Sequence, residues 1–213
     1  MKIQKPKIPE NPVFSDDITS TVLEQQYSGF EIDKAYFKNS TLEDISATRL
    51  LFYKCVFEKC TFTKCNTNFV FEDAIFKDCD LTNMDFSDAG FSSVEFINCN
   101  MTGVNMTRVK FCDVLISECS MRYSIFSNAD FTRVSVEKTN LSNSYIWEAK
   151  QKDLYFSECN LTSTELAGTI LKDIDFTSSD IDGILLRGPE LKGVIVNEFQ
   201  ALGLSKLLGI IIK

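Results

Sequence analysis

A chain of 213 residues with no histidine lacks the commonest general base and the commonest partner in zinc sites. Its 30 acidic side chains against 22 basic ones give a net charge of −8 and a pI near 4.7, which argues against direct binding of nucleic-acid phosphates and suits a basic partner. The opening stretch has no apolar signal core and no run approaches the roughly 20 apolar residues of a membrane span, so a cytoplasmic protein without membrane contact is expected.

Residues 1–26 hold all but one of the four prolines and show no firm repeat, which predicts a loose arm followed by a cap over an open edge. From Tyr27 an apolar residue recurs at every fifth position, through Ile32, Phe37, Leu42, Ala47, Phe52, Phe57 and Phe62. Between Thr63 and Asn68 the phase moves by one residue. Removing one residue there aligns Cys60 with Cys79, so a local deletion and a small kink are expected inside one repeat domain, 27–196.

From Phe71 the period holds without a break in count through Phe76, Leu81, Phe86, Phe91, Phe96, Met101, Met106, Phe111 and onward to Val196. Only Gln151 interrupts it, and either polar partners accommodate that side chain or the backbone bulges. A period of five fits neither a helix nor a flat strand, so the backbone must turn once per repeat. A second, smaller inward residue two positions before each centre supplies the local alternation of a strand.

The number of sides follows from which residues match at longer spacing. Ala74, Val94, Val114, Val134, Leu154, Ile174 and Val194 form an apolar series at intervals of twenty, while Cys79, Cys99, Cys119, Thr139, Cys159 and Ser179 form another. Residues stacked above one another share a shape constraint, so four repeats make one coil. The expected fold is an all-β solenoid with a quadrilateral cross-section. Seven of the eight cysteines take the small inward position, where a free thiol packs as a small hydrophobe, and only Cys112 points outward. Stacked coils about 4.8 Å apart also lie within disulfide reach, though a reducing compartment favours packing.

Residues 197–213 abandon the repeat. Phe199, Ala201, Leu202, Leu204, Leu207 and Leu208 are apolar on more than one side of a short helix, followed by an expected strand at Ile210–Ile212. A helix apolar nearly all round must be buried. The segment therefore reads as a cap on the last coil, or as that cap and a subunit interface through Phe199, Leu202, Leu204, Leu207, Leu208, Ile210 and Ile211, making a homodimer.

No catalytic arrangement is visible. No glycine-rich phosphate loop occurs, GILLRG at Gly183 is repeat sequence, and the carboxylates belong to a convex, solvated rod; no enzyme activity, cofactor or metal is expected.

The pattern of CDLTN at Cys79, CNLTS at Cys159 and SDIDG at Ser179 resembles that of pentapeptide-repeat proteins, whose fold is a right-handed four-sided β-helix. DIDGI at Asp180, LKGVIV at Leu191, Gln200 and LLGIII at Leu207 resemble the C-terminal region of the quinolone-resistance (Qnr-type) members. The resemblance implies a homodimer joined through its C-terminal segment that binds DNA gyrase and topoisomerase IV as a DNA mimic and protects them from fluoroquinolones, a form of antibiotic resistance. The long insertions that contribute to protection in some members are absent from this sequence.

About 8.5 coils of about 4.8 Å make a rod of roughly 41 Å, and two rods end to end span about 80 Å, or roughly 24 base pairs. The side centred on Phe76, Phe96 and Ile116 gathers Asp78, Glu95, Glu118, Glu137, Glu158, Asp175 and Glu198 against Lys77 and Lys138, which makes those acids the candidate gyrase contacts. Tyr145 and Trp147 are a candidate aromatic anchor. A passive scaffold with a different partner is the alternative, for which the bare repeat suffices.

Overall fold

The backbone turns at the residue two places after each centre. Asp78, Asn98, Glu118, Lys138 and Glu158 take φ of 55°, 52°, 58°, 47° and 53°, the left-handed region. That conformation costs a non-glycine residue about 1–2 kcal/mol and is easiest for Gly, Asn and Asp, which are frequent at this place in the repeat. Where the corner also closes a hydrogen bond, as from the Met84 N–H to the Leu81 carbonyl at 3.1 Å, it is a type II turn with Asn83 (φ 56°) in the position that requires positive φ. One coil further on Gly103 (φ 70°) fills that place, and a Cβ there would stand 2.3 Å from Asn83 Oδ1.

The structure is a computed structural model that describes residues 2–25 and 29–211. The sequence boundary at Gln26 and Tyr27 lies outside the described residues, as does Ile212. The elements in chain order are β1 (Val13–Ser15), α1 (Ile18–Glu24), β2 (Glu31–Asp33), β3 (Ala35–Lys38), β4 (Thr41–Glu43), β5 (Ser46–Tyr53), β6 (Val56–Glu58), β7 (Thr61–Thr63) and β8 (Asn66–Lys77). They continue as β9 (Gly90–Ile97), β10 (Lys110–Ser117), β11 (Asp130–Glu137), β12 (Lys150–Ser157) and α2 (Glu198–Ser205).

All pairings are parallel, and from β8 onward the register advances by twenty residues, as in Phe71↔Phe91, Phe91↔Phe111, Phe111↔Phe131 and Phe131↔Gln151. The coil therefore has four sides of five residues. From β9 to β12 each strand covers two sides and the corner between them, whereas the other two sides pair through single bridges such as Asp80↔Asn100 and Asp85↔Asn105.

The core is a set of phenylalanine columns. Phe37, Phe57, Phe76 and Phe96 stack at 5.4, 4.7 and 4.8 Å, and Phe52, Phe71, Phe91, Phe111 and Phe131 at 5.3, 5.1, 5.2 and 5.6 Å. These spacings follow the rise of the coil, so like lies on like because the ladder holds the rings at one repeat distance. The seven inward cysteines are buried and free, and burial pushes the Cys55 thiol up to about 12, the state of an inert packing residue.

The phase change is a bulge. Ser46 pairs with Asn66 and Arg49 with Asn68, so Ala47 and Thr48 face the single residue Thr67. Thr67 takes a centre position there, its hydroxyl buried without a partner, and Phe69 fills the core beside it against Phe62, Phe71 and Phe86. At Gln151 polar partners decide the outcome: its amide donates to the carbonyls of Ile170 and Lys172 at 3.4 and 3.2 Å. The side chain takes up carbonyls flanking Leu171, and β12 is the last strand of the sheet.

Both ends carry helices. Ile18 and Val22 of α1 are buried at the N-terminal end, and the Asp17 carboxylate caps the helix through the Ser20 N–H. Asn197 and Gln200 form a capping box on α2, and the Gln200 amide donates to the Phe176 and Ser179 carbonyls at 2.8 Å each, which pins the helix to the last coils.

The structure corrects three expectations. The C-terminal helix is not buried within the chain: Leu204 alone is buried, while Phe199 is 77% and Leu202 50% exposed. Ile210 and Ile211 form no strand, because a left-handed turn at Gly209 (φ 72°) carries them away from the coil without a ladder partner. The N-terminal arm is also not loose. Residues 2–9 are anchored along the outside of the rod, with the Gln4 N–H donating to Asp113 and the Lys7 N–H to Asp73, both at 3.1 Å.

Candidate functional site

Every outward side chain belongs to a column that climbs the rod one coil at a time, so neighbours in a column differ by twenty in number. Opposite charges placed on consecutive coils therefore meet. Arg108 binds Asp88 through Nε and Nη2 at 2.6 Å each, and Arg133 binds Asp113 through Nε at 2.7 Å and Nη2 at 2.5 Å. The first pair is exposed, with side chains 57% and 48% accessible, and contributes little to stability. In the second the Asp113 side chain is only 9% accessible. The Arg133 guanidinium and the Gln4 N–H hold its carboxyl down to about 2.

The candidate acids occupy three settings. Asp78, Glu118 and Glu158 stand in one corner column, with Asn98 and Lys138 between them; Asn98 donates to Asp78 at 2.7 Å. Glu118 and Glu158 are exposed and Asp78 is half-buried. Glu95, Glu137 and Asp175 project from the flat of the side. Glu137 accepts from Ser135 at 2.9 Å, and the hydroxyl and N–H of Thr177 hold the Asp175 carboxyl below its usual value. Glu198 is not on a coil but is the first residue of α2.

Tyr145 and Trp147 do pair, with ring centroids 5.0 Å apart, and the indole donates to Glu165 at 3.1 Å. They lie on the side centred on Phe86, two corners from the acidic side, so the prism places them across the rod from the acids. Tyr145 is half-buried and Trp147 is 38% exposed.

The C-terminal candidates form the other site. Phe199, Leu202, Leu207, Leu208, Ile210 and Ile211 are exposed, with Ile211 at 85%. Leu185 and Ile195 add exposed apolar surface on the last coils, whose inward Leu186, Leu191, Val194 and Val196 are only partly covered. That continuity makes an end patch, in contrast to scattered single residues.

The sequence reading overlooked the arm. Lys2, Ile3 and Lys5 line a shallow groove with Glu95, Leu115, Ser135, Glu137 and Tyr155, so part of the acidic side carries residues of the same chain. The alternation of lysine with Ile3, Pro6, Ile8 and Pro9 is the signal that marks an extended, one-sided strap. Among the described residues no three His, Cys, Asp or Glu side chains converge as a metal set, and no helix is long and apolar enough to cross a membrane.

No curated protein matches the sequence. Solved structures similar to the chain include full-length QnrB1, a plasmid-mediated fluoroquinolone resistance protein, at 21% identity and a TM-score of 0.39 over 94% of this chain and 99% of that one. HetL, a pentapeptide-repeat protein involved in heterocyst differentiation regulation in the cyanobacterium Nostoc, gives 13% and 0.36 over 84% and 97%. A pentapeptide-repeat protein of the Arabidopsis thaliana thylakoid lumen gives 18% and 0.35 over 64% and 74%. Two family models also match, "Pentapeptide repeat region" over residues 69–146 and "Pentapeptide repeats (8 copies)" over 155–188, together more than half of the chain. The gap between them contains Gln151, and the register from β11 to β12 runs through it unshifted, with Val134 on Leu154 and Val136 on Phe156. The chain belongs to the pentapeptide-repeat family.

Proposed function

We propose that this protein binds DNA gyrase, topoisomerase IV or both as a mimic of duplex DNA and protects them from fluoroquinolones, acting as a homodimer joined at the C-terminal end. The observation that carries the reading is the corner column of Asp78, Glu118 and Glu158. It sets carboxylates at a fixed interval of two coils, about 9.6 Å, along a regular rod whose net charge is −8. A basic surface built to bind the two phosphate rails of DNA meets repeating negative charge at matching scale and pays no sequence-specific penalty. The resemblance of the C-terminal stretch to Qnr-type proteins supports the choice of partner.

The end patch supports the dimer. Six large apolar residues of the last segment lie in water in the single chain, and a second copy related by two-fold symmetry covers them with the same residues. The rods then continue one another, doubling the charged length.

The test is a supercoiling assay with purified gyrase and a fluoroquinolone. Addition of the protein raises the drug concentration needed for half inhibition, and Glu118→Lys with Glu158→Lys returns it toward the unprotected value while leaving every inward residue in place. Unchanged drug inhibition with the unaltered protein defeats the reading. The covering of Glu95 and Glu137 by the arm favours the second reading, a scaffold for another partner, and a pull-down that captures no topoisomerase subunit supports it.

A further inference from the structure

The corner column that runs Asp73, Ser93, Asp113, Arg133, Asp153 and Asp173 changes its exposure part of the way along. Asp73, Ser93 and Asp113 are 6%, 4% and 6% exposed, whereas Asp153 and Asp173, in the same left-handed conformation, are exposed. The arm bonds to this part of the column, through the Gln4 N–H to Asp113 and the Lys7 N–H to Asp73, and the Arg133 guanidinium also covers Asp113.

The fit of arm to rod has a simple metric basis. Gln4 and Lys7 are three residues apart, which in an extended chain is about 10 Å. Asp113 and Asp73 are two coils apart, which is about 9.6 Å. Every third N–H of an extended segment thus meets every second corner of this column. Pro6 falls between the two donors, has no N–H to leave unpaired, and holds the segment extended. Ile3, Pro6, Ile8 and Pro9 are half-buried, while Lys2, Lys5 and Lys7 are exposed. Leu115 and Tyr155 supply the apolar wall of the groove and Glu95 and Glu137 its acidic flank.

We infer that this strip, from the Asp73–Asp113 corner to the Leu115 and Tyr155 column, is a binding site for an extended peptide carrying lysines and small aliphatic residues, and that residues 2–9 occupy it in cis. The segment is an intramolecular competitor: a cationic partner that uses Glu95 or Glu137 must first displace it. The inference stands on the seated arm and does not require the partner to be a topoisomerase. If it is one, release of the arm enlarges the acidic face that the partner reads.

The experiment uses the full chain and a fluorescein-labelled synthetic peptide with the sequence of residues 2–10, followed by anisotropy. The variant Ile3→Asp with Ile8→Asp frees the site by weakening the arm alone, since both side chains lie outside the coil. The variant binds the peptide at least tenfold more tightly than the unaltered chain does, and a peptide with its three lysines changed to glutamate binds neither. Equal binding to both proteins, or no binding to either, overturns the inference. An independent measurement is hydrogen exchange in the unaltered chain, where the Gln4 and Lys7 amides exchange at least tenfold more slowly than the Lys5 amide; rates equal to those of the free peptide also overturn it. Peptide binding with no effect on gyrase removes the proposed partner and leaves the site intact.

Discussion

Phe71 is the residue at which the architecture is most sensitive. It is fully buried and its ring has seven aromatic neighbours: Phe52 at 5.3 Å, Phe91 at 5.1 Å, Phe76 at 5.0 Å, Phe69 at 5.6 Å, Phe57 at 6.1 Å, Phe86 at 6.2 Å and Phe62 at 6.4 Å. Truncation of a buried phenylalanine to alanine costs about 3–5 kcal/mol, and the upper end applies where the surroundings cannot collapse into the space. Here they cannot, because each neighbouring ring is fixed by its own rung of the ladder. Each aromatic pair is worth about 0.5–1.5 kcal/mol beyond its area, although losses shared between neighbours do not add. Phe71→Ala is therefore expected to cost about 5 kcal/mol. Phe176 is equally buried but has one aromatic neighbour, Phe156 at 5.6 Å, and Phe176→Ala should cost about 3 kcal/mol.

The measurement is urea unfolding followed by far-ultraviolet circular dichroism on the two variants and on Phe71→Leu. Phe71→Leu should recover most of the loss, since a leucine fills much of the space. Stability in a solenoid is a sum over neighbouring coils, so the central truncation should also broaden the transition as the two ends uncouple. Equal losses for Phe71→Ala and Phe176→Ala, or a loss below about 2 kcal/mol for the first, would refute the argument that stacked columns set the stability.

Leu207→Asp with Leu208→Asp places charge in the apolar end patch and should convert a dimer to monomers in light scattering; an unchanged mass removes the end-to-end assembly. Asp130→Lys with Asp153→Lys reverses exposed acids outside the Asp78, Glu118 and Glu158 column and should weaken gyrase protection less than Glu118→Lys with Glu158→Lys; equal effects would mean that net charge alone is sensed. Asp113 has a folded pKa lowered to about 2, so its pairing with Arg133 contributes stability that is complete above the unfolded carboxylate value of about 3.9 and is lost as the pH falls through 2. Acid melting curves of Asp113→Asn should accordingly be flatter than those of the parent between pH 4 and 2, and parallel curves would show that the pair is not linked to folding. Cys99→Ser should cost under about 1 kcal/mol, because the hydroxyls of Thr139 and Ser179 already accept backbone N–H bonds in the same column; a larger loss would reveal a bonded thiol.

What was legible in the sequence is what packing dictates. Inward positions repeat every five residues and sort every twenty, so the four-sided coil, the seven buried cysteines and the one-residue deletion near Thr67 follow from shape alone. Outward positions carry no such constraint. The acidic candidates were assigned to one side by number, yet Glu198 sits at a helix N-terminus, because the coil ends before it. The C-terminal helix was legible only in part for a related reason: an apolar helix must be covered, but nothing in its sequence says whether the same chain or a second copy does the covering.

The arm was illegible for a different reason, which bears on how such a rod can be controlled. Its docking depends on two lengths that belong to separate parts of the chain, the rise of an extended residue and the rise of a coil, which agree to within a fraction of an ångström only at a spacing of three residues to two coils. No residue type announces that agreement. A rigid ladder with a fixed rise nevertheless offers it along each of its corners, and a column becomes a peptide site wherever alternate corners present a carboxylate and the flat beside them is apolar. Asp73 and Asp113 meet that condition beside Leu115, and Asp113 accepts the Gln4 N–H while it is also paired with the Arg133 guanidinium. The same regularity that lets carboxylates repeat at a pitch suited to a cationic partner thus lets an internal segment of matching pitch lie across them.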